Sequence, residues 1–325
     1  MTGDSRAEIT QRLRDIARDL LERGEVDVFI GYEEGSLPLR TTPAFITRPD
    51  DVSRLTWGAL CENNLATYLP KFEGRVGVVV KGCDVRALVN LIVEKQIARD
   101  QVKIVGVPCQ GVIDRRKLAG AVGEGPPVRS VEETDGFIIV RGSGFEKTIP
   151  VQEMLSPACA TCVHPVPVLY DLLAGDEARS RGACPREDAF AEVERFAGRN
   201  VEDRFAYFAR EIERCIECYA CRQACPLCYC PECFVDRQSP KWVGRWRDLS
   251  DKMVFHLGRV LHTAGRCADC GACRRACPAG IDLRLLSKQM EKDALEFFGH
   301  EPGTDLEAAP VLATYRREDP DDFIL

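Results

Sequence analysis

The chain has 17 cysteines in 325 residues, and their spacing is where its chemistry begins. Two runs near the C-terminal end repeat one pattern, C-x2-C-x2-C-x3-C-P. They are Cys215, Cys218, Cys221 and Cys225 before Pro226, and Cys267, Cys270, Cys273 and Cys277 before Pro278. In two-cluster iron–sulfur proteins the fourth cysteine of such a run serves the other cluster. Thiolates two residues apart converge around one turn of backbone, whose amides can point at inorganic sulfide. The closing proline stops simple continuation of the preceding helix. The expected ligand sets are therefore Cys215, Cys218, Cys221 and Cys277 for one [4Fe-4S] cluster, and Cys267, Cys270, Cys273 and Cys225 for the second. Zinc also accepts four thiolates, although it normally uses two C-x2-C pairs. The alternative reading is a zinc-stabilised interaction or scaffold protein without redox activity.

A second group of thiols depends on topology. Arg75–Val80 reads as an apolar strand buried on both faces. Lys81-Gly82-Cys83-Asp84 is then a turn, residues 85–98 a helix, residues 101–107 a second strand, and Pro108-Cys109-Gln110-Gly111 the next turn. A strand–helix–strand unit of this length is parallel. Cys83 and Cys109 would share the carboxyl edge of the sheet, where open α/β sheets bind ligands. With Cys159 and Cys162 they would complete a four-thiolate site, a third [4Fe-4S] cluster. Lys81, Gly82 and Gly111 are candidate contacts to a flavin or to that cluster's edge, the glycines because they let backbone come close. Cys228, Cys230 and Cys233 fall outside the ladder pattern. They could bind metal with Cys184 or pack as free thiols around the first cluster; the second reading is preferred.

Composition narrows the class. The chain is 45% hydrophobic and 29% charged, the balance of an ordinary globular protein. A net charge of −7 argues against a nucleic-acid partner. There is no apolar run of bilayer length, and the first residues lack a signal pattern. Together with the thiol content this points to a reducing cytoplasm. No acid–base constellation and no glycine-rich phosphate loop is evident, so substrate chemistry is expected on another chain.

The expected architecture is an α/β domain with a parallel-strand core over residues 1–180, then a mainly helical dicluster ferredoxin domain over 187–299. Residues 176–186 would be a hinge, and the acidic tail 300–325 either disordered or a docking strand. An opening helix over 5–24 ends at Gly24. A strand follows at 26–30, and Asp51 or Ser53 is expected to cap a helix containing Trp57, Leu60, Leu65 and Tyr68. Residues 137–140 and 147–149 read as a hairpin, following turns that include Gly125, Pro126 and Pro127. Residues 166–174 read as a short helix and 241–265 as a helix with Trp242 and Trp246 in its core. Arg245 and Arg247 beside those rings suggest nucleic-acid stacking only weakly. His164, two residues after Cys162, is expected to face solvent, with a bond to cluster sulfide as the other reading.

With these residues in view, Val80-Lys81-Gly82-Cys83-Asp84, Val107-Pro108-Cys109-Gln110-Gly111 and Cys159-x2-Cys162 resemble the beta subunits of deazaflavin-coenzyme-dependent hydrogenases and formate dehydrogenases over roughly residues 50–175. The ladder region resembles the helical dicluster ferredoxins of heterodisulfide reductases and succinate dehydrogenases. The resemblance implies an iron–sulfur electron-transfer subunit of an oxidoreductase complex, with FAD beside its clusters, passing electrons between a catalytic subunit and a soluble carrier. In that family the ferredoxin module usually precedes the α/β domain; here it follows.

Overall fold

A computed structural model describes residues 6–123, 128–134, 136–244 and 248–319. Two compact units emerge, Met1–Val85 with Ala98–Cys184, and Arg86–Ile97 with Pro185–Leu325. The expected fold class holds, with an α/β region built on a mostly parallel sheet and a helical C-terminal region.

In the first unit, α1 (Arg6–Glu22) buries Thr10, Leu13, Ala17 and Leu20, a single stripe at steps of three and four. Gly24 follows it in the left-handed region at φ +61°, the usual helix stop. The main sheet contains β1 (Val28–Glu34), β2 (Thr41–Ile46), β3 (Val76–Val80) and β4 (Val102–Gly106). β1, β3 and β4 run parallel, and β2 is antiparallel on β1. α2 (Gly82–Val93) connects β3 to β4. Every residue of β3 is buried, which explains its unbroken apolar sequence.

After β4 come α3 (Arg115–Val122), the antiparallel strands β5 (Val128–Thr134), β6 (Phe137–Gly142) and β7 (Phe145–Pro150), then the one-turn helices α4 (Val151–Met154) and α5 (Pro157–Ala160). The expected hairpin is β6–β7, and β5 extends it to three strands. Ile138, Val140, Ile149, Leu118 and Leu155 form its core. Gly125, Pro126 and Pro127 lie outside the described residues.

Two expected helices are absent. Residues 49–71 form 3-10 turns at Pro49–Arg54 and Leu65–Lys71 with irregular chain between. Pro70 sits inside the second turn, and Asn64 caps it by accepting from the Ala66 amide. Trp57, Leu65 and Leu69 are buried all the same; their spacing served burial rather than a helix. Residues 166–174 are instead irregular, with several bends, and contain the short β8 (Leu172–Leu173), which pairs with β4. Pro165 and Pro167 bias their neighbours away from helix. The Asp171 carboxylate then accepts from the Ile104 amide at 2.7 Å and anchors this edge.

The second unit holds α6 (Arg186–Ala197), α7 (Val201–Glu213), α8 (Ala220–Gln223), α9 (Leu249–His262), α10 (Ala272–Ala276) and α11 (Arg284–Phe298). α9 is shorter than the helix expected over 241–265, because Asp248 caps it by accepting from the Asp251 amide. Trp242 precedes it and is 57% exposed, not core; Arg245, Trp246 and Arg247 lie outside the described residues. A buried charge chain runs Arg86–Glu291–Lys288–Asp269–Arg284. The start of the tail is packed on its own unit. The Arg86 guanidinium donates to the Pro302 carbonyl at 2.8 Å, and the His300 ring lies 2.8 Å from the Gly265 carbonyl. Further on, Tyr315 is exposed, and residues 320–325 lie outside the described residues.

Candidate iron–sulfur centres

The two ladders share a backbone signature. In the first, Glu217 and Tyr219 flank Cys218 at φ +55° each. In the second, Asp269 and Gly271 flank Cys270 at φ +45° and +68°. Three of these four residues carry side chains that disfavour this region, so each loop is held open against local preference. A short helix follows at the same place in both runs, α8 and α10, and the two helices pack together. Each loop thus changes direction at the same point of its cysteine run. In the first, the Glu217 amide donates to the Cys215 sulfur at 3.3 Å.

Thiol neighbourhoods cross between the ladders. Cys215, Cys218, Cys221 and Cys277 line one cavity, whose wall also includes Cys273. Cys267 and Cys270 each feel the Cys225 thiol of the first ladder. Burial raises Cys221 to about 11, against the lowering effect of Arg259 and with a smaller push from the neighbouring thiols. Burial likewise raises Cys270 to about 11, against the lowering effect of Arg275. Crowded thiols of this kind ionise when a metal supplies the positive charge. Among the described residues, no three His, Cys, Asp or Glu side chains form a group able to hold a single metal ion.

The remaining thiols are split between the units. Cys228 neighbours Cys225 and also feels Cys221, and Cys233 acts on the Arg222 guanidinium. Cys184 belongs to the first unit, where its amide donates to the Cys162 carbonyl at 2.8 Å. Cys61 is a buried thiol raised to about 11, mainly by burial.

In the α/β unit the sheet edge gathers thiols from distant positions. Cys109 feels both Cys159 and Cys162, and burial, then Cys159, pushes it up to about 12. Amides again point at sulfur: Gly111 donates to Cys109 and Val112 to Cys159, each at 3.3 Å. Arg181 donates its backbone amide to the Cys109 carbonyl at 3.0 Å and its guanidinium to the Cys159 and Ala160 carbonyls. Residues 181–184 are therefore bound to the cysteine loops, and the boundary between the two units falls just after them, within the stretch 176–186 expected as a hinge. Cys83 lies at the start of α2, its sulfur 3.7 Å from the Asp84 carboxylate. His164 is half-buried.

The glycine and lysine of the first turn are both engaged within the chain. Gly82 faces the chain itself, since a Cβ there would collide with the His164 carbonyl. Lys81 is 2% exposed. Its ammonium meets the Tyr32 hydroxyl, the Asn63 carbonyl at 3.0 Å and the Asp84 carboxylate at 2.8 Å. Its three donors therefore all have acceptors. Burial works against the Lys81 charge, but Asp84 and Tyr32 outweigh it and keep the ammonium protonated. Gly111, at φ +98°, forms the turn around the Cys109 sulfur. Arg6, Trp57, Lys81, Cys109, Gly111 and Glu133 help to line a cleft of about 720 Å³, within the usual size range of cofactor pockets.

With this geometry in place, comparison with known proteins is informative. A family model described as a 4Fe-4S dicluster domain matches residues 211–281. The helical region therefore carries a 4Fe-4S dicluster domain. Over nine-tenths or more of its length the chain resembles beta subunits of F420-dependent formate dehydrogenases. The Methanocaldococcus jannaschii protein is 25% identical, over 94% of this chain and 95% of that one. A Methanococcus maripaludis protein, F420-dependent formate dehydrogenase 1 subunit beta, is 24% identical over 90% of each. A looser likeness is to the F420-reducing [NiFe] hydrogenase complex of Methanosarcina barkeri, with 22% identity and a TM-score of 0.38 over 49% of this chain and 62% of that chain. Alignment through nearly all of both chains also means that the M. jannaschii relative has its modules in the same order. The reversed order expected of the family does not separate them. No described helix is long and apolar enough to cross a membrane.

Sequence reasoning missed two polar residues. α9 buries His256 and Arg259 beside Phe255 and Val260. The available signal was a histidine and an arginine three residues apart on the apolar stripe of a helix.

Proposed function

We propose that the chain is an iron–sulfur electron-transfer subunit of an oxidoreductase complex, relaying electrons between a catalytic subunit and a soluble carrier or flavin. Cys215, Cys218, Cys221 and Cys277 hold one [4Fe-4S] cluster, and Cys267, Cys270, Cys273 and Cys225 the second. Cys83, Cys109, Cys159 and Cys162 hold a third. The observation that carries the reading is the pair of matched loops with crossed thiol neighbourhoods.

FAD fits the cleft of the α/β unit by volume and by the Cys109 sulfur in its wall. A flavin there would exchange hydride with a carrier and single electrons with clusters. The chain's own part is different. Gly111 keeps the backbone close and aims its amide at sulfur. Buried Lys81 holds Tyr32, Asn63 and Asp84 in place behind the cleft. The F420-dependent relatives make a deazaflavin the first carrier to try.

Anaerobic measurement of iron, labile sulfide, zinc and flavin per chain tests the reading. About twelve iron and twelve sulfide, four for each cubane, with one flavin, is the expected result. Zinc with almost no iron would overturn it in favour of a scaffold.

A further inference from the structure

Arg259 is buried on α9, 6% exposed, and its Nε has no hydrogen-bond partner. Among the described residues no carboxylate pairs with it. A buried guanidinium without a counter-charge is strongly unfavourable. It lines one cavity with Cys221 of the first ladder and Cys273 of the second, and the Cys225 and Cys228 thiols also act on its charge. On the ligand assignment above, Cys221 serves the first ladder cluster while Cys225 and Cys273 serve the second. Its neighbour His256, 3% exposed, also has both ring nitrogens unpartnered and lines the same cavity. His256 brings no negative charge that could balance the guanidinium. The anions that could balance it are metal-bound thiolates and sulfides.

We propose that Arg259 is a positioning residue, the internal counter-ion that both ladder clusters share, and that it holds their reduction potentials up. The proposal rests on the ligand assignment of the preceding section. Reducing a cluster adds one negative charge, and a fixed cation beside the ligands of both favours that state. It also eases the repulsion met when the second cluster is reduced after the first. In the test reaction each cluster accepts one electron from dithionite, which is oxidised to sulfite. No bond to the chain forms or breaks, and the guanidinium keeps its proton.

The experiment is an EPR-monitored redox titration of the full chain as Arg259→Met, Arg259→Gln and Arg259→Lys, with iron and sulfide measured on each. Met and Gln are expected to lower the reduction equilibrium constants of the ladder clusters at least tenfold, about 59 mV for one electron. Lys is expected to move them less than half as far. Should Met and Gln fail to load iron while Lys loads, charge is required for assembly and the proposal stands. Loaded Met or Gln protein with unmoved potentials overturns it. So does Lys shifting as far as Met, or loss of iron from all three variants. Absence of iron from the unmodified chain would instead strike the cluster assignment itself.

Discussion

The two units build cysteine sites by opposite means. The ladder unit concentrates its cysteines in two short runs, and its loops accept left-handed backbone at Glu217, Tyr219 and Asp269. The α/β unit draws Cys109, Cys159 and Cys162 from turns fifty residues apart in sequence and uses glycine where backbone crowds, at Gly82 and Gly111. Yet both end with amides aimed at sulfur at 3.3 Å. The same chemical requirement is met once by local spacing and once by topology. The local version shows in a sequence; the other becomes visible only after the sheet is assembled.

Ligand replacement puts this contrast to its hardest test. Cys277→Ser should lose about four iron per chain and the same EPR signal as Cys218→Ser, while Cys225→Ser should mimic Cys270→Ser. If Cys225→Ser behaves like Cys218→Ser, the ladders do not exchange ligands. Cys109→Ser and Cys159→Ser should each remove about four iron while both ladder signals persist. Unchanged iron content in both would leave the α/β unit without a cluster.

Smaller effects probe what holds each site. Glu291→Gln strips Arg86 and Lys288 of their shared buried partner, at an expected cost of about 3–5 kcal/mol. Glu146→Gln, losing an exposed pair with Arg141, should cost under about 1 kcal/mol. Urea unfolding of the two variants, compared with the parent, gives the difference.

Asp269, beside Cys270, is the ladder's tie to that charge chain. Burial favours its protonated form, but Arg284 and Lys288 outweigh burial and lower it to about 2, from an ordinary 3.8. A carboxyl so depressed stabilises the fold fully above its unfolded pKa. The contribution, about 2 kcal/mol, is then lost as pH falls from about 4 towards 2. Asp269→Asn should flatten that part of the stability–pH curve; an unaltered curve would show that the pairing contributes nothing. Gly271→Ala should cost about 1–2 kcal/mol for a side chain at φ +68°. Position 219 already bears that strain as Tyr, so Tyr219→Gly should recover part of it, set against its lost ring contact with Phe255.

Much of the architecture was legible because some signals are local. The stripe of α1 and the stop at Gly24 depend on helical period and backbone sterics, and the buried run of β3 depends on a sheet covered on both faces. The ladders are legible for the same reason, since cubane ligation demands a fixed spacing. Failures came where another constraint won. Pro70 and the Asn64 cap turned an apparent helix into a 3-10 turn, and Pro165 and Pro167 drew residues 166–174 into the sheet edge. Trp242 had helical spacing but lies before the Asp248 cap, in solvent.

By itself the sequence determined the cysteine spacing of the two ladders and the parallel core, because these follow from spacing, period and residue size. Only tertiary structure decided that Lys81 is consumed by Tyr32, Asn63 and Asp84, that Gly82 meets His164, and that Arg259 is buried against thiols of both ladders. Those facts concern how charge is compensated out of water. Compensation depends on which groups meet in space, and no local pattern records that.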